Sequence, residues 1–179
     1  MSRRPPGITL YELAVALAVA ATAATIAVTG TESMVQRATL RSIAAEVAAD
    51  LQHVRSMSVA RNQTIRIAFR AFGADGSCYV MYSGAMGACQ CTAAGQAVCP
   101  DGGEALRAVF LPPTGRARIH ANVSTITYDP RLGTASPAGR VDIIGRDGRS
   151  LRHVVSLMGR VRTCSPDGSV TGVPICAPG

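Results

Sequence analysis

The chain has 179 residues, 47% of them hydrophobic, which suits one modest domain with enough apolar material for a core. Six cysteines fit an oxidising compartment and argue against a reduced cytosolic protein. The net charge of +7 is carried by arginine alone, since no Lys occurs, and no segment is acidic or Gln/Asn-rich enough to predict disorder.

In chain order, a basic leader, Met1-Ser2-Arg3-Arg4-Pro5-Pro6, ends at Gly7. From Ile8 an apolar run extends to about Val28, and one carboxylate, Glu12, stands inside it. A charge at bilayer depth costs at least ~2.5–3.5 kcal/mol, so Glu12 demands a functional reason. A secretory signal peptide cut after Ala21-Thr22-Ala23 does not supply one, and neither does a plain membrane anchor.

No proline occurs between Pro6 and Pro100, which permits one long helix from Ile8 to about Arg61, ending near Asn62. Such a helix reaches ~80 Å. Residues 8–30 are its apolar half and residues 31–62 its amphipathic half, with Gly30 as a possible flexible point between them. In the second half Leu40, Ile43, Val47, Leu51 and Val54 recur at steps of three and four, which is one helical face. Arg37, Arg41, Glu46, Asp50 and His53 fall largely off that stripe.

Residues 63–179 read as a β-rich domain. Thr64 to Arg70 alternates with a period of two. Further strands are predicted at Cys78–Tyr82, Leu106–Leu111, Ala117–Ala121, Thr125–Tyr128, Val141–Ile144, Val154–Leu157 and Val161–Cys164. Turn signals at Ala74-Asp75-Gly76, Pro112-Pro113-Thr114-Gly115 and Arg146-Asp147-Gly148 separate them. The stretch Ser83–Gly103 is small, polar and cysteine-bearing, and reads as a stapled loop. The expected fold class is therefore α+β, a long helix laid on an antiparallel sheet.

Cys78, Cys89, Cys91 and Cys99 cluster, while Cys164 and Cys176 lie near the C-terminal end. A zinc site is the alternative to disulfides in the cluster, but Cys89-Gln90-Cys91 is not the C-x₂-C knuckle and no His lies nearby. Cys164 with Cys176 is the favoured pair, and closing a loop that short contributes ~2–3 kcal/mol in the chain-entropy model. The pairing of the other four stays open, except that Cys89 and Cys91 are not expected to join each other.

Arg140, Arg146, Arg149, Arg152, Arg160 and Arg162 lie close together, offset by Asp142 and Asp147, and this excess suits an acidic partner such as nucleic acid. On a strand Arg160 and Arg162 project to one side at ~6–7 Å, a spacing that lets two guanidinium groups fork onto neighbouring phosphates. Arg149, Arg152 and His153 extend the patch by charge. The competing reading pairs Arg160 and Arg162 with Asp142, Asp147 or Asp167 as salt bridges at a sheet edge. Stacking aromatics are missing, which disfavours single-strand recognition, and nothing resembles a base-reading helix. The three histidines, His53, His120 and His153, belong to no nucleophile or metal motif, and no G-x-S-x-G, HExxH or P-loop pattern occurs, so an enzyme is not expected. No cofactor or metal is expected either.

Gly7-Ile8-Thr9-Leu10-Tyr11-Glu12 and the run behind it resemble the type IV prepilin signal. That resemblance implies cleavage after Gly7 by prepilin peptidase, leaving residues 1–7 as a leader and Ile8 as a methylated N-terminus. Family members more often carry Phe where Ile8 stands. It further implies the type IV pilin fold, with a transmembrane first half of the helix, and pairing of Glu12 with the terminal amine of a neighbouring pilin or pseudopilin. Ile126-Thr127-Tyr128-Asp129-Pro130-Arg131-Leu132-Gly133-Thr134 is similar, with looser spacing, to the "F-x-P-x-G" segment of the GspH/FimT group of minor pilins and pseudopilins. Gly159-Arg160-Val161-Arg162-Thr163-Cys164 resembles the "GRxR" signature of the FimT type, which binds DNA in natural transformation. Two functions follow from the resemblance. One is a minor pilin binding extracellular double-stranded DNA without sequence preference, inserted singly in the inner membrane before assembly and periplasmic or extracellular in the filament afterwards. The other is a structural minor pilin or type II secretion pseudopilin.

Overall fold

The computed structural model describes residues 9–177 and, within that range, the side chains of all but residues 23–31. The expected cleavage site at Gly7 and Ile8 lies outside the described residues. The chain divides into two compact units at Val35/Gln36.

The first unit is the N-terminal part of helix α1, which spans Leu10–Arg61 and continues through Gly30. Thr9 and Glu12 form its start. The Thr9 hydroxyl accepts a hydrogen bond from the Glu12 N–H at 3.3 Å, and Glu12 Oε2 accepts one from the Thr9 N–H at 3.1 Å. This is a reciprocal capping box, which satisfies two backbone donors that no helical carbonyl can reach. Leu10, Tyr11, Leu13, Leu17 and Val19 are exposed along this part. Among the described residues no helix is long and apolar enough to cross a membrane. The expected spanning segment, 8–30, includes Ile8 and the side chains of 23–30, which lie outside the described residues.

In the second unit α1 buries the stripe of its second half. Leu40, Val47, Leu51 and Val54 are buried with Ala44, and Ile43 packs partly against them. Fully burying such side chains is worth roughly 1.5–3 kcal/mol each for the larger ones. The helix stops at Asn62, whose φ of 48° is left-handed, and Gln63 N–H reaches back to Ser58 O at 3.1 Å.

Among the described residues eleven strands follow: β1 (Ile65–Ala71), β2 (Ser77–Ser83), β3 (Gln90–Cys91), β4 (Ala97–Val98), β5 (Glu104–Leu111), β6 (Ala117–Ala121), β7 (Thr125–Tyr128), β8 (Ala135–Ser136), β9 (Gly139–Gly145), β10 (Ser150–Val155) and β11 (Val161–Cys164). They form an antiparallel sheet ordered β5-β2-β1-β7-β8, a second ordered β11-β10-β9-β6, and the small β3-β4 ribbon. Both larger sheets feed one core on α1, with Ile65, Ile67, Tyr79, Ile126 and Tyr128 from the first and Ile119, Val141, Ile143, Leu151 and Val155 from the second.

All seven residues of β2 are buried. Tyr79 and Met81 face the helix, whereas Cys78, Val80 and Tyr82 sit in a separate cluster beneath the 83–103 segment. Disulfides Cys78–Cys91 and Cys89–Cys99 hold that segment over the sheet. A segment with few large apolar side chains can thus cover a sheet face by covalent closure. The stapled loop carries its own two-stranded ribbon, β3-β4, in addition to the expected connection.

Two expectations are corrected. Asp50, read as off the apolar stripe, is 3% exposed. Its carboxylate accepts from the Tyr79 hydroxyl at 2.5 Å and from Arg107 Nη1 at 2.8 Å, and Arg107 also pairs with Glu46. A buried carboxylate is tolerated when it is paired in this way. The strand expected at Val154–Leu157 is instead Ser150–Val155, because Leu157 belongs to the turn into β11, where Gly159 N–H bonds Ser156 O at 2.8 Å. Polar Arg152 and His153 masked the earlier start.

His153 is buried rather than on a basic face. Its Nε2 lies 2.8 Å from Ala44 O and its Nδ1 2.9 Å from Thr163 Oγ1, so the neutral Nε2–H tautomer donates to the helix carbonyl and accepts from the threonine. Burial pushes its pKa below the usual histidine value, against the opposing pull of the Ala44 carbonyl and Asp142. The unfolded chain therefore takes up a proton near pH ~6.5 that the folded chain refuses until lower pH. Stability from this residue is full above that value and falls as pH drops through the window below it.

Two glycines meet against the helix. Arg55 Nε donates to Gly133 O at 2.9 Å, and a Cβ placed on Gly159 (φ +69°) would collide with that oxygen and stand 2.8 Å from Arg55 Nε. Gly159 thus fixes how closely the turn before β11 approaches α1 and the 129–134 loop.

Two outcomes are expected. Unfolding free energy should fall between pH about 7 and about 5.5, with His153 contributing up to about 1.4 kcal/mol per pH unit. His153→Gln, which keeps a donor for Ala44 O, should flatten that part; parallel thermal-unfolding profiles for the two proteins would contradict it. Gly159→Ala should cost about 2–5 kcal/mol from left-handed strain plus the clash, whereas Gly148→Ala, equally left-handed at φ +81° but in open space, should cost about 1–2 kcal/mol. Equal losses in denaturant titrations would show that the close approach is unimportant.

Candidate nucleic-acid interface

β11 is an edge strand of the second sheet, and the Ser156–Gly159 turn delivers Arg160 to its start. Arg160 and Arg162 are both exposed. Among the described residues neither has an ion-pair partner. The carboxylates that might have neutralised them are engaged elsewhere. Asp142 forks onto Arg152, at 2.6 Å to Nε and 3.1 Å to Nη2, and this pairing raises the Arg152 pKa. Asp147 lies 3.2 Å from Arg149 Nη1. Asp167 accepts from the Ser169 hydroxyl at 2.7 Å, from the Ser169 N–H and from Ser165, and these bonds hold its carboxyl below the usual range.

The four arginines singled out from the sequence therefore divide. Arg160 and Arg162 have no ion-pair partner among the described residues, while Arg149 and Arg152 are tied to aspartates and only about a quarter exposed. His153 lies behind the sheet, facing α1. Backbone geometry decides this: in register, Arg162 stands opposite Val154 and Thr163 opposite His153, so alternate residues of β11 turn outward and inward.

The tail behind β11 is closed. Cys164 bonds Cys176, Ser165 N–H donates to Pro174 O at 2.8 Å, and Arg41 of α1 donates to Thr171 O. The strand bearing the arginines is thus held at its C-terminal end by a covalent loop and at its N-terminal end by Gly159.

Sequence reading missed Arg55. It lines a cleft of about 830 Å³ between α1 and the start of β11, together with Gln52, His53, Arg160 and Arg162. No motif marks it; its relation to Gly133 is a contact across 78 positions of sequence. The two segments with motif character, 128–134 and 159–164, converge here. Asp129 shapes the first by accepting from the N–H groups of Arg131 and Leu132 at 2.8 and 2.9 Å, bonds that hold its carboxyl below the usual range. Ala135 N–H then bonds Leu157 O at 2.9 Å, joining the loop to the turn before β11. Among the described residues no cluster of His, Cys, Asp and Glu is arranged to hold a metal ion.

A surface of this kind can hold phosphate groups through forked charge-assisted bonds. Glu12, in the first unit, is tied to Thr9 as described above.

No curated protein matches the chain in a sequence comparison. Among solved structures it resembles the type IV minor pilin FimU of Pseudomonas aeruginosa strain PAO1 in two crystal forms. One form is 22% identical, with a TM-score of 0.52 over 70% of this chain and 88% of that one. The other is 20% identical, with a TM-score of 0.50 over 74% of this chain and 98% of that one. These likenesses establish the pilin-like fold, a helix packed on antiparallel sheets. The family model described as type II transport protein GspH matches residues 44–159, which runs from the buried part of α1 to the glycine ahead of Arg160. On that match, across more than half its length, the chain belongs to the GspH family of pilin-like proteins.

Proposed function

We propose that this chain is a minor pilin of a type IV pilus that binds double-stranded DNA through its backbone phosphates, for uptake in natural transformation. The observation that carries the reading is the pair Arg160 and Arg162. Both are exposed, Arg162 in the anchored edge strand β11 and Arg160 one residue before it, and both lack ion-pair partners among the described residues, while Asp142, Asp147 and Asp167 are each engaged elsewhere. Two cations at ~6–7 Å suit successive phosphates, and nothing nearby reads base edges. Binding should therefore be sequence-independent, with Kd in the ~10⁻⁴–10⁻⁶ M range at physiological salt. Presentation of several copies on a filament raises the effective affinity.

In this reading residues 8–30 anchor the chain in the inner membrane, prepilin peptidase cuts after Gly7, and Glu12 pairs with the amine of a neighbouring subunit. A second reading, a pseudopilin of type II secretion, draws support from the match to the type II transport protein GspH family. There the same arginines face a protein neighbour.

Duplex-DNA binding by the full chain in nonionic detergent, measured across a salt series, tests the first reading. Wild-type binding should weaken steeply with salt, and Arg160→Ala/Arg162→Ala should abolish most of it while unfolding at the wild-type temperature. Absence of wild-type binding at low salt would leave the secretion reading in front. Glu12→Gln addresses assembly separately. Gln still accepts the Thr9 N–H and preserves the helix start but removes the charge, so filament incorporation should fall. Normal incorporation of this variant would show that Glu12 acts as a cap alone.

A further inference from the structure

The register of the second sheet places more than Arg162 on its outer face. Val154 of β10 stands opposite Arg162 on one side and Arg140 of β9 on the other. Residues directly opposite in an antiparallel sheet share a face, so Arg140, Val154 and Arg162 form one row across three strands. The next row is Asp142, Arg152 and Cys164, reached in β6 by His120, and beyond it Arg118 stands opposite Ile144. Arg118, His120, Arg140 and Arg162 are exposed, whereas the residues between them on each strand, such as Ile119, Val141 and His153, are buried against α1. Asp142 is the one carboxylate on strands β6, β9, β10 and β11, and Arg152 already neutralises it.

We infer that duplex DNA lies across this whole outer face, with Arg140 and Arg118 contacting phosphates beside Arg160 and Arg162. The inference rests on the DNA-binding reading above and enlarges its site from one strand edge to a sheet surface. Neighbouring strands are ~4.8 Å apart, so Arg140 and Arg162 are ~10 Å apart across the sheet, and Arg118 lies ~20 Å from Arg162. That span is comparable with the width of a duplex, whose charge is dense enough, at one per ~1.7 Å of axis, to meet every cation of the face. A groove of about 860 Å³ lies on the same surface, lined by Arg140, Arg152, Arg162 and Asn122 and by Pro174 to Ala177 of the disulfide-closed tail. A polyanion is the occupant that the charge selects: three unpaired arginines of the four strands face outward on this side of the sheet, among the described residues, and the lone carboxylate is already spent.

The test is the salt dependence of duplex-DNA binding by the full chain in detergent, for single variants. Each phosphate contact adds about 0.9 to the slope of log K against log salt. Arg140→Ala and Arg118→Ala should each weaken binding several-fold at low salt and reduce that slope by about 0.9, a change that a loss of folding would not mimic. Asp142→Asn removes the carboxylate while its amide oxygen still accepts from Arg152, so this variant should bind DNA several-fold more tightly than wild type. Unchanged affinity and slope in all three variants, alongside lost binding in Arg160→Ala/Arg162→Ala, would overturn the enlarged site and leave the edge-strand reading standing. Absence of binding by the wild-type chain would overturn both.

Discussion

The apolar stripe on the second half of α1 is the constraint from which the rest of the domain is built. A single helix face, with Leu40, Ala44, Val47, Leu51 and Val54, is buried against residues of two separate antiparallel sheets. Each sheet hides one face against that stripe and must dispose of the other. The first covers its outer side with a disulfide-stapled segment, because that segment has too few large apolar groups to fold over β2 by burial alone. The second carries exposed Arg118, Arg140 and Arg162 on its outer side, beside the disulfide-closed tail. The difference between the two sheets is therefore where the proposed site lies.

Polar groups that enter the core do so on strict terms. Asp50 is accepted because Tyr79 and Arg107 complete its hydrogen bonds, and burial together with that bond drives the Tyr79 pKa upward, so the phenol stays a donor. His153 is accepted as a neutral ring bridging Ala44 O and Thr163. Both tie α1 to a different sheet, which gives the helix a fixed rotation as well as a buried face. Ser58 does the same at the helix end, donating to Tyr128 O at 3.1 Å. The aromatic of the 128–134 segment is thereby anchored before the loop that carries Gly133.

Much of this was legible in the sequence, and the exceptions share a cause. The helix end at Arg61, the strands β6, β7 and β11 and the helical stripe are written in periodicity, which is local. Asp50, His153 and Arg55 were misread or missed because their partners, Tyr79, Ala44 and Gly133, are distant in sequence, and a polar side chain with an unseen partner reads as exposed. The same holds for the arginines. By charge alone Arg149 and Arg152 stand beside Arg160 and Arg162; Asp142 reaches Arg152 only once β9 and β10 are in register, whereas Asp147 takes Arg149 from two residues away. The Thr9–Glu12 capping box, by contrast, is a local pattern that was open to view. The charge of Glu12 inside an apolar run drew attention to lipid and neighbouring subunits, and away from the backbone three residues upstream.

Capping and pairing are compatible demands on Glu12. A carboxylate has room for about four hydrogen bonds, and Thr9 occupies Oε2, leaving Oε1 with capacity for a further donor. A helix start ordered by its own cap holds that carboxylate in one place before any partner arrives. Preorganisation of this kind reduces the ordering cost that association would otherwise carry. The same logic applies at β11, where Gly159 at one end and the Cys164–Cys176 loop at the other restrain the strand. At both ends of the chain, a charged group with a role proposed beyond the fold is held by local covalent or backbone contacts. The helix stripe can therefore be satisfied without them, and each can meet a partner without disturbing the core.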